Sequence, residues 1–169
     1  YFVFSNLEIK DLTDYTYIRN VTSDFLAYKS MNIILFTFSF ILISIFWIFL
    51  LGFGSPIVII AGFLYGKWLG TIICIITFSI GSSCLYLFAQ MYFKNLIFNF
   101  LESKIKKFKD LFGKNEFLYF MLFRLAGGGG IPFPIQNILP VALNMKVKNY
   151  FFATLLGLAP STFIICSLG

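Results

Sequence analysis

Residues 30–66 read SMNIILFTFSFILISIFWIFLLGFGSPIVIIAGFLYG and contain no Asp, Glu, Lys or Arg. A helix rises about 1.5 Å per residue, so a bilayer core takes roughly 20 apolar residues per crossing. Residues 31–51 meet that length without a break and predict a membrane helix. Residues 52–66 stay apolar but carry Gly52, Gly54 and Pro56 and end on Gly66. They are too short and too interrupted for a second plain crossing, and a re-entrant or broken helix fits them better.

The pattern continues outward. Charge is also missing from 68–93, 125–145 and 149–169. Over the 169 residues, 59% are apolar and 12% charged, against roughly 45–50% and 25% in an ordinary soluble domain. These figures exclude a soluble globular domain, a disordered chain and a coiled coil, and predict an all-α integral membrane protein. Residues 69–93 read as a second full-length helix and 147–168 as a last one. Between them, 116–126 and 135–145 are short apolar pieces around Gly127-Gly128-Gly129-Gly130-Ile131-Pro132-Phe133-Pro134.

The net charge of +6 is not spread evenly. Residues 94–114 hold six lysines against Glu102 and Asp110, with Ile97, Leu101, Ile105, Phe108 and Phe112 at spacings of three and four. That is a basic amphipathic helix, read as lying apolar face down on the cytoplasmic membrane surface. Its alternative is a connecting helix packed on the protein itself. Residues 1–29 form a polar segment, and Tyr1-Phe2-Val3-Phe4 reads as the tail of an earlier, truncated membrane helix. The membrane domain proper is expected over 30–169. The expected partners are membrane lipids with anionic headgroups, not nucleic acid, and a homo-oligomer is compatible with the sequence.

Two stretches repeat one plan. Pro56 is followed by Lys67 and then a long apolar segment; Pro134 is followed by Lys146 and another. Each unit is a Gly/Pro-broken piece, one lysine and a long helix, in an inverted-repeat-like arrangement. Broken segments at membrane depth survive only when buried in protein or facing a watery cavity, and a matched pair of them points to a transporter's substrate site.

Arg124 is the sharpest single candidate. A guanidinium inside an apolar segment faces a cavity or a substrate path more often than lipid, and its fork suits a phosphate. The alternative is that it snorkels to a headgroup. Gly127, Gly128, Gly129 and Gly130, with Pro132 and Pro134, are read as a loop whose free amides could hold an anion, or as a simple hinge. Asn137 either caps a half-helix or contacts the ligand. In the first broken segment the marked residues are Gly54, Pro56, Gly62 and Gly66; Gly62, Gly66 and Gly70 also form overlapping GxxxG units that suit close helix packing. Ser82 and Ser83 are expected to bond back to their own helix. Gln90 bonds across a helix interface or sits in a polar cavity. Cys74, Cys84 and Cys166 read as packing residues. There is no histidine, no metal-ligand cluster and no catalytic constellation, so no enzyme, cofactor or metal is expected.

These residues resemble a known family. Ala61-Gly62-Phe63-Leu64-Tyr65-Gly66, Gly70-Thr71 and Gly81-Ser82-Ser83 in the first half resemble the VTT domain of the DedA, or SNARE-associated Golgi, proteins. So do Phe123-Arg124-Leu125, Pro132-Phe133, Asn137, Asn149-Tyr150-Phe151 and the run Leu156–Phe163 in the second. The resemblance covers roughly 30–169. It implies an all-helical fold with two re-entrant segments facing each other, and a role in lipid scrambling, polyprenyl phosphate transport or proton-coupled membrane homeostasis. It matches Arg124 to the family's arginine in the second unit and implies a bacterial inner (plasma) membrane or its organellar equivalent. The sequence departs from the family at Ala89-Gln90, where Gly-Arg is usual, and in having no acidic residue from 30 to 66. That leaves no intramembrane carboxylate for proton coupling. A non-transporting membrane scaffold recruited through 94–114 is the alternative function.

Overall fold

A computed structural model describes residues 32–99 and 112–169. The polar segment 1–29 and the centre of the basic segment, 100–111, lie outside the described residues. Helix α1 spans Ile33–Leu51, α2 Ser55–Tyr92, α3 Glu116–Leu125, α4 Phe133–Ala142 and α5 Val147–Cys166. A tight helical turn at Gly127–Gly130 joins α3 to α4, and no strand occurs among the described residues. Three of these helices, α1, α2 and α5, are long and apolar enough to cross a membrane. This is an all-α integral membrane protein, as its composition requires.

The 38-residue α2 is two helices. At Gly66 the backbone takes φ 74°, ψ 173°, a region open essentially to glycine alone. The chain reverses there, and a Cβ placed on Gly70 would lie 2.7 Å from the carbonyl oxygen of Ala61. In one straight helix those residues would be about 13 Å apart along the axis. The result is a hairpin with a short arm, 55–65, and a long arm, 67–92. Gly54, where the short arm starts, packs on the ring of Phe78 near the middle of the long arm. The GxxxG reading therefore changes. Gly66 is the hinge, so Gly62 and Gly70 stand on different arms: Gly70 meets Ala61, while Gly62 meets the backbone of Cys166 at the end of α5.

The second unit repeats this plan with α4 as the short arm and α5 as the long one. Its hinge is 143–146, where Asn144 adopts φ 56° and Met145 N–H donates to the Pro140 carbonyl at 3.1 Å. Lys67 and Lys146 both stand exposed at the start of a long arm. Each long arm ends against the other unit: the Tyr86 hydroxyl donates to the Met145 carbonyl at 2.6 Å, and the Cys166 thiol to Val58 O at 3.4 Å. The repeat read in the sequence is thus a repeat in space. All three cysteines are free, with Cys84 exposed and the other two packed inside.

Helix α3 runs parallel to α5. Asn115 caps it, its Oδ1 accepting from Leu118 N–H at 3.1 Å. Glu116 is the one carboxylate side chain among the described residues. It accepts from Lys146 N–H at 3.2 Å and from Asn149 Nδ2 at 2.5 Å, and so caps α5. Eight residues on, a Cβ at Gly157 would lie 2.5 Å from Arg124 Cβ, so the helices are in near contact there. Helix α3 thus runs in along α5, turns at the glycine run and comes back as α4 to the level at which it started.

The stripe of the basic segment departs from expectation at both of its described ends. Ile97 and Phe112 are buried with Tyr86, Phe120 and Met145 in the protein's own core, not turned to a membrane surface.

A Gly66→Ala substitution meets no neighbouring atom, so its effect isolates the backbone cost of the hinge. Expected is a loss of about 1–3 kcal/mol, seen as a lowered melting temperature in maltoside micelles. Gly113→Ala, also in open space but without a positive φ, should leave the melting temperature close to wild type. Equal melting of both variants would contradict the hinge.

Candidate functional site

Arg124 is the penultimate residue of α3 and is 1% exposed. In a helix a long side chain leans back toward the N-terminus, and here that carries the guanidinium inward toward Tyr150. Its Nη1 donates to Gln136 Oε1 at 3.3 Å; its Nη2 donates to Asn137 Oδ1 at 2.5 Å and to the Tyr150 hydroxyl at 3.2 Å. Its Nε has no partner. The rings of Phe120, Phe133 and Tyr150 surround it, with centroids 5.1, 4.8 and 5.9 Å from Cζ. The one described carboxylate, Glu116, is committed to the N-terminus of α5, so among the described residues the cation has no anionic partner. Dipoles and ring faces carry its charge instead.

Asn137 is the connector. It lies inside α4 and is fully buried, so it is not the cap of a half-helix. Its Oδ1 accepts from Arg124 and from the Tyr150 hydroxyl, and its Nδ2 donates to the Gly52 carbonyl at 3.3 Å. Gly52 in turn lies against Pro134, 3.2 Å from a Cβ position to the proline Cβ. The breaks of the two units therefore touch, and both short arms start from this point. Phe78 and Phe133 pack across it with ring centroids 6.3 Å apart.

The other predicted residues fall around this knot. All four glycines of the run have positive φ, between 60° and 78°, which makes a left-handed turn that side chains resist. Gly128 is buried under the Gln136 side chain, while Gly127, Gly129 and Gly130 are exposed. Gln136 ties the turn down, its Nε2 donating to Ile131 O at 2.6 Å. Pro132 starts α4 and accepts from Ile135 and Gln136 N–H. Pro56 and Pro134 stand alike in the first turn of the two short arms. Gln90 is half-buried near the end of α2 and takes no part in the knot. Of the two serines, Ser82 bonds back to Ser79 O at 3.4 Å, whereas the Ser83 hydroxyl is buried without a partner.

A family model for the VTT domain matches residues 52–169. The chain belongs to the DedA, or VTT-domain, family. The match opens at Gly52, the residue that Asn137 holds, and takes in both hairpins and the whole knot. No solved structure matches the chain.

Gln136, Tyr150, Tyr86 and Glu116 complete the site and were not singled out by composition or spacing. Asn137 was legible as a polar group in an apolar run, and Gln136 beside it went unmarked. Tyr150 appeared only inside the Asn149-Tyr150-Phe151 stretch of the family resemblance, because one tyrosine near a helix start in a chain with nine carries no signal of its own.

Tyr150→Phe removes one partner of Arg124 but keeps the stack on Tyr86, whose ring lies 5.1 Å away. It should cost about 1.5–3 kcal/mol, the worth of a bond to a charged group. Asn137→Leu strips three bonds and strands a buried cation, and should cost more, about 3–5 kcal/mol. Unfolding from maltoside micelles by added dodecyl sulfate ranks the two. Equal small losses would mean that Asn137 does not join the units.

Proposed function

We propose that this DedA-family protein moves phosphate-bearing lipids, phospholipid or polyprenyl phosphate, between membrane leaflets. In this reading α3–α4 and the arm 55–65 are re-entrant in the bilayer, and the lipid headgroup passes where their tips meet. The host membrane is a bacterial inner membrane or its organellar equivalent. The observation that carries the reading is Arg124, a buried cation with no described carboxylate, at the contact of two broken helices. A charge at membrane depth is costly and is kept where it serves a path, and half-helix N-termini at midplane favour anionic groups. The tied-back ends of α3 and α4 also support a re-entrant pair, since a hairpin that starts and ends at one level does not cross.

The test uses the protein in liposomes carrying a fluorescent phospholipid in both leaflets and a membrane-impermeant reductant added outside. Wild type should expose inner-leaflet dye well beyond protein-free liposomes. Arg124→Gln, confirmed as folded by gel filtration, should slow the exchange about tenfold or more, roughly 1.4 kcal/mol on the barrier. Inner dye as well protected by wild type as in empty liposomes sinks the scrambling reading for that lipid.

A further inference from the structure

The polar contacts of Arg124 are made with the protein itself. An opening lies on the far side of Phe133. A pocket of about 130 Å³ is walled mostly by apolar side chains, Phe78 and Phe133 among them, with Gly54, Ser55, Ser161 and Thr162 at its polar part. Phe133 belongs to both places, since its ring carries the Arg124 guanidinium over one face and it also lines the pocket.

Both short arms begin at this pocket, one at Gly54–Ser55 and one at Pro132–Phe133. The first N–H groups of a helix have no partner within it and need one from outside. Elsewhere the protein provides it: Asn115 caps α3 and Glu116 caps α5. At the two short arms no side chain caps either end. Two positive helix ends thus meet at one small cavity. Independently of them, Thr162 lines that cavity while being 3% exposed, and its hydroxyl makes no hydrogen bond among the described residues. Its neighbour Ser161 bonds back to Leu158 O at 3.1 Å, so a helical hydroxyl here could have been satisfied internally.

We propose that this pocket seats a single phosphate group, held by the uncapped ends of the two short arms and by the Thr162 hydroxyl, with Arg124 behind Phe133 as a positioning residue. The proposal rests on the lipid-moving reading for the phosphate's source, but not for the pocket's chemistry. The volume suits it: a drug-sized ligand takes roughly 300–1,000 Å³, so a whole headgroup with its chains does not fit, whereas one tetrahedral oxyanion does. Arg124 contributes by fixing Asn137, and through it Gly52, two residues before the pocket wall.

The experiment is a ligand titration of the whole chain in maltoside micelles, which carry no phosphate. The probes are didecanoyl phosphatidate, didecanoylglycerol and inorganic phosphate, and the readout is the rise in melting temperature. Phosphatidate should stabilise the protein and didecanoylglycerol should not. Thr162→Val, close in shape, should weaken phosphatidate binding about tenfold, and Thr162→Ser should restore most of it. Stabilisation by phosphatidate alone supports a lipid-borne phosphate; stabilisation also by inorganic phosphate supports the same seat for a free anion. Equal binding by wild type and Thr162→Val, equal binding of phosphatidate and didecanoylglycerol, or no binding by wild type overturns the proposal. Each variant's melting without ligand reports its folding. The liposome assay is separate: dye exchange that persists in a Thr162→Val protein with unchanged phosphatidate affinity removes the pocket and leaves the lipid-moving reading standing.

Discussion

The hydrogen bonds of Asn137 to Arg124, Tyr150 and the Gly52 carbonyl set what the rest of the molecule must do. They join α3, α4, α5 and the loop before α2 through one amide. A guanidinium cannot shed its proton at any ordinary pH, so burying it commits the protein to supplying donors' partners on every side. That demand explains the company around it: two amide side chains in consecutive positions, a tyrosine hydroxyl and three ring faces. It also explains why α3 and α5 approach so closely at Gly157, where any side chain would push Arg124 away from its partners. A carboxylate would have satisfied the charge more simply. Among the described residues none stands there, so the centre they form keeps a net positive charge that a structural ion pair would cancel.

Two hinges give the units their shape, and they work differently. The first is a single glycine in a conformation other residues avoid; the second is a four-residue turn anchored by Pro140 O and by the Glu116 carboxylate at the start of α5. Both lead to the same geometry, a short arm that starts halfway along a long one. Since a short arm's N-terminus lies at that halfway level, two such units placed tip to tip gather two helix N-termini at one depth. The convergence follows from the repeat and does not need a dedicated loop.

Much of this was legible in the chain, for physical reasons. Gaps in charge mark membrane helices because each charge inside hydrocarbon is expensive. Gly and Pro mark the breaks because they remove backbone donors or admit conformations others do not, so 52–66 and 127–134 stood out at once. Arg124 was visible as the charge where none should be. What stayed hidden depends on distance in the sequence. Tyr86 meets Met145 across 59 residues, and Glu116 meets Asn149 across 33; nothing local distinguishes either residue. Of the two readings of Asn137, the cap fails: a polar residue near a proline-started helix looks like one, but its partners come from three other segments. The amphipathic stripe of 94–114 misled at its described ends because periodicity reports that one face is buried, not what buries it. Likewise GxxxG spacing implies a common face only while the helix is unbroken, and Gly66 breaks it.

On the lipid-moving reading, the separation of Arg124 from the pocket has a consequence for transport. A phosphate bound directly by a buried guanidinium in a bidentate pair is held strongly and specifically. A site that must release its ligand to the other side needs binding favourable enough to admit it and weak enough to let it go. Uncapped helix ends and one hydroxyl supply partial charges, while the full charge acts from behind an aromatic ring and is already shared among Gln136, Asn137 and Tyr150. The same knot that keeps the cation from the ligand holds the two tips in register. The positive charge therefore lowers the cost of an anion at this depth without itself becoming the trap.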